Sequence, residues 1–303
     1  GSRPMTAEST AAPRRAGLFA WITVFTTIIT FPLIALGAIV RLKGAGLACP
    51  DWPLCYGQAT PLVDVITPPP AGVQIALEVG HRYLAGSVGL LVFGLMLWAI
   101  FAGMPKPVKR WAYVSFGLLV PQVILGGLTV LMKLAPVTVS LHLLFGNLFF
   151  AALIVFSVKA WQVWRGELPG TPDRPAPVAM ASVVVLSLTF AQIFLGGWVS
   201  SSGASLACLD FPLCQDGTLL GVVATKLTFL QMFHRSVGLL LAASIVWLGV
   251  AAFRGANVPR SVRVGVGVVG ALVVVQIGLG WFNVANYVPV PTAAAHTAVA
   301  ALI

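Results

Sequence analysis

Seven long apolar runs decide most of what this chain can fold into. They fall at roughly 18–40, 73–102, 111–131, 138–163, 178–200, 226–253 and 264–283. Each can cross a hydrocarbon core of about 30 Å, which takes about 20 helical residues. An eighth run opens near Thr292 and stops at Ile303, short of a full crossing. Lipid offers no hydrogen bonds, so the backbone must satisfy its own groups within each run, as a helix does. Composition agrees: 58% of residues are hydrophobic and 9% charged, where a soluble domain carries about 25% charge. The expectation is an all-α integral membrane protein of eight transmembrane helices, the last one truncated. The GSRP before Met5 reads as a cloning remnant, and residues 1–17 as that remnant plus a cytoplasmic tail.

The formal net charge is +10, and the placement of the cations gives it meaning. Lys106, Lys109, Arg110, Arg165, Arg174, Arg254, Arg260 and Arg263 follow even-numbered runs, while Arg3, Arg14 and Arg15 precede the first. The other loops hold Arg41, Lys43 and Lys133, with Lys226 at an edge. Positive charge collects on the cytoplasmic side of membrane proteins. The pattern predicts a multi-pass protein of the plasma (inner) membrane with a cytoplasmic N-terminus. The basicity is thereby a topology signal, and no nucleic-acid partner is expected.

All four cysteines fall in outer loops, in "LACPDWPLC" ending at Cys55 and "LACLDFPLC" ending at Cys214. An oxidising compartment permits disulfides there. Cys49–Cys55 and Cys208–Cys214 are the favoured pairs, because each lies within one loop around residues that suit a tight turn. Zinc is the competing reading, although structural zinc sites space their cysteines by two to four residues. The second loop repeats the first 159 residues later (208 − 49).

The repeat runs beyond the loops. "LGAIVRLKGAGLAC" ends at Cys49 and "LGGWVSSSGASLAC" at Cys208; "GHRYLAGSVGLL" from Gly80 matches "FHRSVGLLLAAS" from Phe233. "PQVILGG" from Pro121 resembles "VQIGLG" from Val275, and Gln192 opens "QIFLGG". Agreement in order, spacing and residue type marks a duplication. Each unit has four crossings, an even number, so the halves are parallel and related by a pseudo-two-fold axis along the membrane normal. The expected division is an N-terminal four-helix half at 18–165, a cytoplasmic linker at 166–177 and a C-terminal half at 178–303. Glycine pairs such as Gly126-Gly127 and Gly196-Gly197 either let helices approach closely or make room for a flat ligand.

The chain has four histidines, His81, His142, His234 and His296. Each falls early in an even-numbered helix, so all four lie toward the outer face, two per half. One such histidine alone reads as an interfacial, hydrogen-bonded side chain. Four at matched repeat positions read as ligands, since ionisable groups inside spans are functional by default. Paired imidazoles without a thiolate or carboxylate cluster suit haem iron better than zinc or di-iron. Arg82 and Arg235 follow His81 and His234 directly. Cations on the outer side ask for an anion, either a haem propionate or a lipid phosphate. The halves differ where Glu78 stands three residues before His81 and Gln231 three before His234. A carboxylate there can handle protons and an amide cannot, which points to chemistry in the first half; simple solvation of Glu78 at the interface is the alternative.

Taken together, the duplicated four-helix halves, Glu78-x-x-His81-Arg82, Gln231-x-x-His234-Arg235 and two Cys-x5-Cys loops resemble the haem A synthase family, over essentially the whole chain from about residue 18. The resemblance implies an oxidoreductase that oxidises a ring methyl of haem O, through an alcohol, to the formyl group of haem A for cytochrome oxidase. It implies a substrate haem between His81 and His142 with Glu78 needed for activity. It also implies a haem b cofactor between His234 and His296 that passes electrons, with Arg82 and Arg235 beside the two sites. The first cysteine pair would bear on function and the second on structure. Implied partners are a haem O synthase upstream, an electron donor and membrane lipid, with a homo-oligomer possible in principle. Two other readings fit parts of the pattern: a di-haem b-type electron-transfer protein, or a haem carrier. Histidines at a single depth serve transmembrane electron transfer poorly, and a carrier needs no permanent second haem. A thiol oxidase would leave the histidines without a role.

Overall fold

The computed structural model describes residues 7–59, 71–167, 176–211, 213–214 and 225–303. The GSRP segment, Pro68-Pro69-Pro70 and most of the expected linker at 166–177 lie outside the described residues. The helices are α1 (Ala7–Leu42), α2 (Ala71–Phe101), α3 (Lys106–Leu131), α4 (Pro136–Trp164), α5 (Ala176–Ser201), α6 (Lys226–Arg254), α7 (Arg260–Ala285) and α8 (Val290–Ala300). A single 3-10 turn, Ala204–Leu206, follows α5. No strand occurs among the described residues. Helices α1 to α7 are long and apolar enough to cross a membrane, and α8, with 11 residues, is shorter than a span.

Helix boundaries follow local chemistry. α4 and α8 open on prolines at their first positions, where a missing N–H costs nothing. α6 is capped by Thr225, whose hydroxyl accepts from Thr228 N at 3.1 Å. The turns after α3 and α7 are built alike. Lys133 and Leu134 have φ of 51° and 59°, and Tyr287 and Val288 have 57° and 58°. Each turn closes with a backbone bond from its second left-handed residue, Leu134 N to Thr129 O and Val288 N to Asn283 O. Side chains rarely adopt this backbone, and its recurrence with matching bonds parallels the repeat in the sequence.

α1 packs on α2 and α4, α2 on α3 and α3 on α4, so the first four helices close a ring. α5 packs on α6, α6 on α7 and α7 on α8. Between the two sets, α4 meets α5 and α1 meets α8. Large apolar side chains such as Ile28, Leu90, Val246 and Val274 are exposed on the outer surfaces, as lipid-facing residues are.

The larger buried apolar cluster of each set of helices lies toward one end. Phe19, Val88, Val92, Val108, Leu153 and Phe156 form one buried cluster, from the start of α1 and α3 and the far parts of α2 and α4. Val178, Val185, Leu241, Leu248 and Val273 form its counterpart in the second set. The histidines lie at the opposite end, beside the cysteine loops. Hydroxyl pairs tie α1 to α4 within the span: Thr27 Oγ1 lies 2.9 Å from Ser157 Oγ and donates to Leu153 O at 3.2 Å.

Candidate functional site

The four histidines occupy equivalent places. His81, His142, His234 and His296 lie ten, six, eight and six residues into α2, α4, α6 and α8, or roughly 9–15 Å below the helix starts at about 1.5 Å per residue. Each ring lies against a glycine of the preceding helix. A methyl on Gly37 would meet His81 Cε1 at 3.1 Å, on Gly126 His142 Cε1 at 3.2 Å, on Gly196 His234 Cε1 at 3.1 Å and on Gly280 His296 Cε1 at 3.3 Å. All four glycines stand five residues before the last residue of their helix: Leu42, Leu131, Ser201 and Ala285. A Cβ at any of them would crowd the ring and force it to shift by a few tenths of an ångström.

Each imidazole has a buried Nδ1 with no hydrogen-bond partner among the described residues. Below the rings runs a layer of glutamines, Gln122, Gln192 and Gln276, each four residues before a seating glycine; Leu33 holds that place in α1. Gln122 Nε2 and Gln192 Nε2 approach His142 Nε2 and His234 Nε2 at 3.4 Å. The Oε1 atoms of all three glutamines are buried without a partner. His234 and His296 wall one cavity with Gln192, Gln276, Arg41 and Asn147.

Among the described residues no three of His, Cys, Asp and Glu converge as a protein-only metal site would require. Two imidazoles complete the coordination of an iron that brings its own four in-plane nitrogens. Buried imidazoles seated on glycines, each with an Nδ1 that no described residue engages, fit such a planar metal complex.

The Glu-Arg and Gln-Arg positions act on the cysteine loops. Glu78, 4% exposed, accepts from Cys49 N at 2.8 Å and from Arg82 Nη2 at 2.5 Å. Arg82 Nη1 donates to the carbonyls of Asp51 at 2.9 Å and Leu54 at 2.7 Å. In the second half Gln231 Nε2 donates to Ser205 O at 2.8 Å and Cys208 O at 3.2 Å. Arg235 donates to Asp210 O at 2.6 Å and Cys208 O at 2.8 Å. Loop carbonyls thus engage both arginines, and Arg82 pairs with the Glu78 carboxylate as well. Glu78 is turned to the loop and its own arginine.

The loops close over the histidine end. Cys49 and Cys55 are bonded with Cα atoms 4.8 Å apart, and Cys208 and Cys214 with Cα atoms 5.4 Å apart. Asp51 accepts from Tyr56 N at 2.7 Å and Gly57 N at 2.8 Å. The Gly57 amide first, with Tyr56 and the Arg82 charge, holds this carboxyl below its ordinary range. The Trp52 ring lies on Gly127, where a methyl would meet Cδ2 at 2.9 Å. Phe211, its counterpart, lies beneath Arg235 with the guanidinium carbon 5.7 Å from the ring centroid.

Residues 20–303 match the model of the COX15-CtaA family, described as cytochrome oxidase assembly protein. The chain belongs to this family. Among relatives, a protein named heme A synthase from Shewanella oneidensis is 31% identical over 93% of this chain and 92% of its own length. Proteins of the same name from Shouchella clausii and Geobacillus kaustophilus are 30% and 29% identical, over 74% and 77% of this chain and 73% and 70% of theirs.

Seen within this COX15-CtaA member, the two glycine readings divide residue by residue. Gly126 and Gly196 seat histidines and Gly127 seats Trp52, whereas Gly197 is a close helix contact whose added methyl would meet Ser140 Cα at 3.2 Å. Gly37 and Gly280, absent from the sequence-based candidates, complete the set. Their constant distance from the helix end was the available signal.

Proposed function

We propose that this protein is an oxidoreductase of haem A synthesis, oxidising a ring methyl of haem O through the hydroxymethyl stage to the formyl group of haem A. Family membership and the names of the relatives support the reaction. The observation that carries the site is the fourfold pairing of a buried imidazole, its Nδ1 without a partner among the described residues, with a glycine, twice in each half. Two planar haems, one per half, satisfy all four rings.

The reading divides the chain into 18–165 for the substrate and 178–303 for the cofactor, as tandem four-helix halves completed by α8. His81 and His142 hold haem O in the first half, and His234 and His296 hold haem b in the second. Bound haem b supplies one-electron transfer. The chain's residues do the rest. The glycine seats fix the depth of each ring and exclude side-chain carbon from the haem plane. The apolar clusters beneath seal the site from the far side. Glu78 through Cys49 N, and Arg82 through Asp51 O and Leu54 O, hold the first loop over its mouth. Glu78, three residues before His81 on the same helix, is the residue we assign to proton handling, a role Gln231 lacks. Cys49–Cys55 lies on this loop, and Cys208–Cys214 clips the other.

The positive-inside pattern supports a cytoplasmic N-terminus, with both loops and both haem sites toward the outer face of the plasma membrane. A haem O synthase supplies the substrate, and an electron donor restores the cofactor. The test is extraction and chromatography of bound haems from protein produced with a haem O source, reductant and oxygen. Hydroxylated and formyl haem are expected beside haem b. Unmodified haems alone would overturn the reading.

A further inference from the structure

Arg41 lines the histidine end yet belongs to neither loop clamp. Arg41 is the penultimate residue of α1, four residues beyond Gly37 and so one turn nearer the loop end of the helix. α1 packs against α8 as well as α2 and α4. Through that contact Arg41, a residue of the first half, walls the cavity of the second, together with His234 and His296. Its Nη1 is buried and has no hydrogen-bond partner among the described residues. A cationic nitrogen buried without a partner is costly, so its placement suits an anion bound in the cavity. Among the described residues walling this cavity, Arg41 and Arg235 are cationic and none is acidic. Arg235 is engaged with the carbonyls of Asp210 and Cys208. The repeat puts Ser200 at Arg41's place in α5, so the feature is not duplicated.

We propose that Arg41 binds a carboxylate of the haem held by His234 and His296, so that the first half contributes a clamp to the second half's cofactor. This rests on the assignment of a haem to those two histidines. The geometry gives the clamp two consequences. It anchors the cofactor by a charge-assisted bond. It also cancels a negative charge close to the iron, which holds the reduction potential up, since oxidised iron carries the extra positive charge.

The test uses the full chain with its haems, comparing the unmodified protein with Arg41→Gln, Arg41→Lys and His234→Ala. The readouts are haem b retained on dilution, its midpoint potential, and the resonance Raman propionate-bending band. Arg41→Gln is expected to lose haem b about ten- to hundred-fold more readily, the scale of one hydrogen bond to a charged group. Its midpoint falls and its propionate band shifts, while Arg41→Lys restores most of the midpoint. An unmoved propionate band with normal retention in Arg41→Gln would overturn the clamp, and so would a midpoint shift without a band shift, which would place the anion elsewhere, as on a lipid phosphate. His234→Ala separates the underlying assignment: if it keeps the full haem b signal, the second-half haem is wrong, whatever Arg41 does.

Discussion

At the scale of single residues, the protein is organised by what glycine leaves out. A methyl at Gly196 would sit 3.1 Å from His234 Cε1, closer than such atoms comfortably pack, and valine adds two more carbons. Gly196→Val should misorient a ligand while leaving the apolar cluster at the other end intact. Disturbing ligand orientation costs about 10–100-fold in metal affinity. The expected outcome, read by haem spectrum and thermal unfolding, is loss of the second-half haem from a protein that still folds; full retention would contradict the seat. Glu78 makes the second prediction. Glu78→Gln keeps an oxygen for Cys49 N but removes the charge paired with Arg82. Haem should still bind while conversion of haem O drops by about a hundredfold or more, the lower end of what a positioned acid–base group supplies (about 10²–10⁴-fold). Near-normal turnover would contradict a proton-handling role. The histidines, Glu78 and both arginines were legible in the sequence because charge and imidazole are conspicuous in apolar runs. The loop carbonyls that engage Arg82 and Arg235 were not, since a backbone acceptor leaves no trace in residue identity.

At the scale of elements, the cysteine loops are latches worked from the following helix. Arg82→Gln would leave Glu78 buried beside Cys49 without its cation, and breaking a buried pair costs about 3–5 kcal/mol. Lower thermal stability and faster proteolysis between residues 43 and 59 are expected; unchanged stability would show that the loop is held otherwise. Asp51 adds a pH dependence. A carboxyl held down in the folded loop contributes stability above its unfolded titration range and loses it as pH falls through the lowered folded value. Amide protection at Tyr56 and Gly57 should therefore persist through neutral pH and fail only on acidification below the ordinary carboxylate range. Protection lost already near neutrality would rule out this cause. The seven spans were readable from length and hydrophobicity, yet α3 starts at Lys106 rather than near 111, because a cationic first turn continues a helix at the membrane surface. The exchange of bulk between halves was hidden: Trp52 covers Gly127 in one, whereas the counterparts are Phe211 and Trp281 in the other. Neither substitution is informative until the loop is placed on the helix.

At the scale of the whole molecule, duplication explains the symmetry and its breaks. Shared turns after α3 and α7, four glycine seats and two clamped loops repeat; Glu78 against Gln231, and Arg41 against Ser200, do not. The orientation is open to impermeant thiol labelling. Lys133→Cys should react from the outer side of intact cells and Lys109→Cys only after permeabilisation; the reverse would invert the topology. The central claim is that one frame holds two haems with different fates. It is tested most directly by haem analysis of the four histidine variants after production with a haem O source. His81→Ala and His142→Ala should retain haem b but form no hydroxylated or formyl haem, while His234→Ala and His296→Ala should lose haem b. Loss of both haems alike from every variant would contradict a division of labour between the halves.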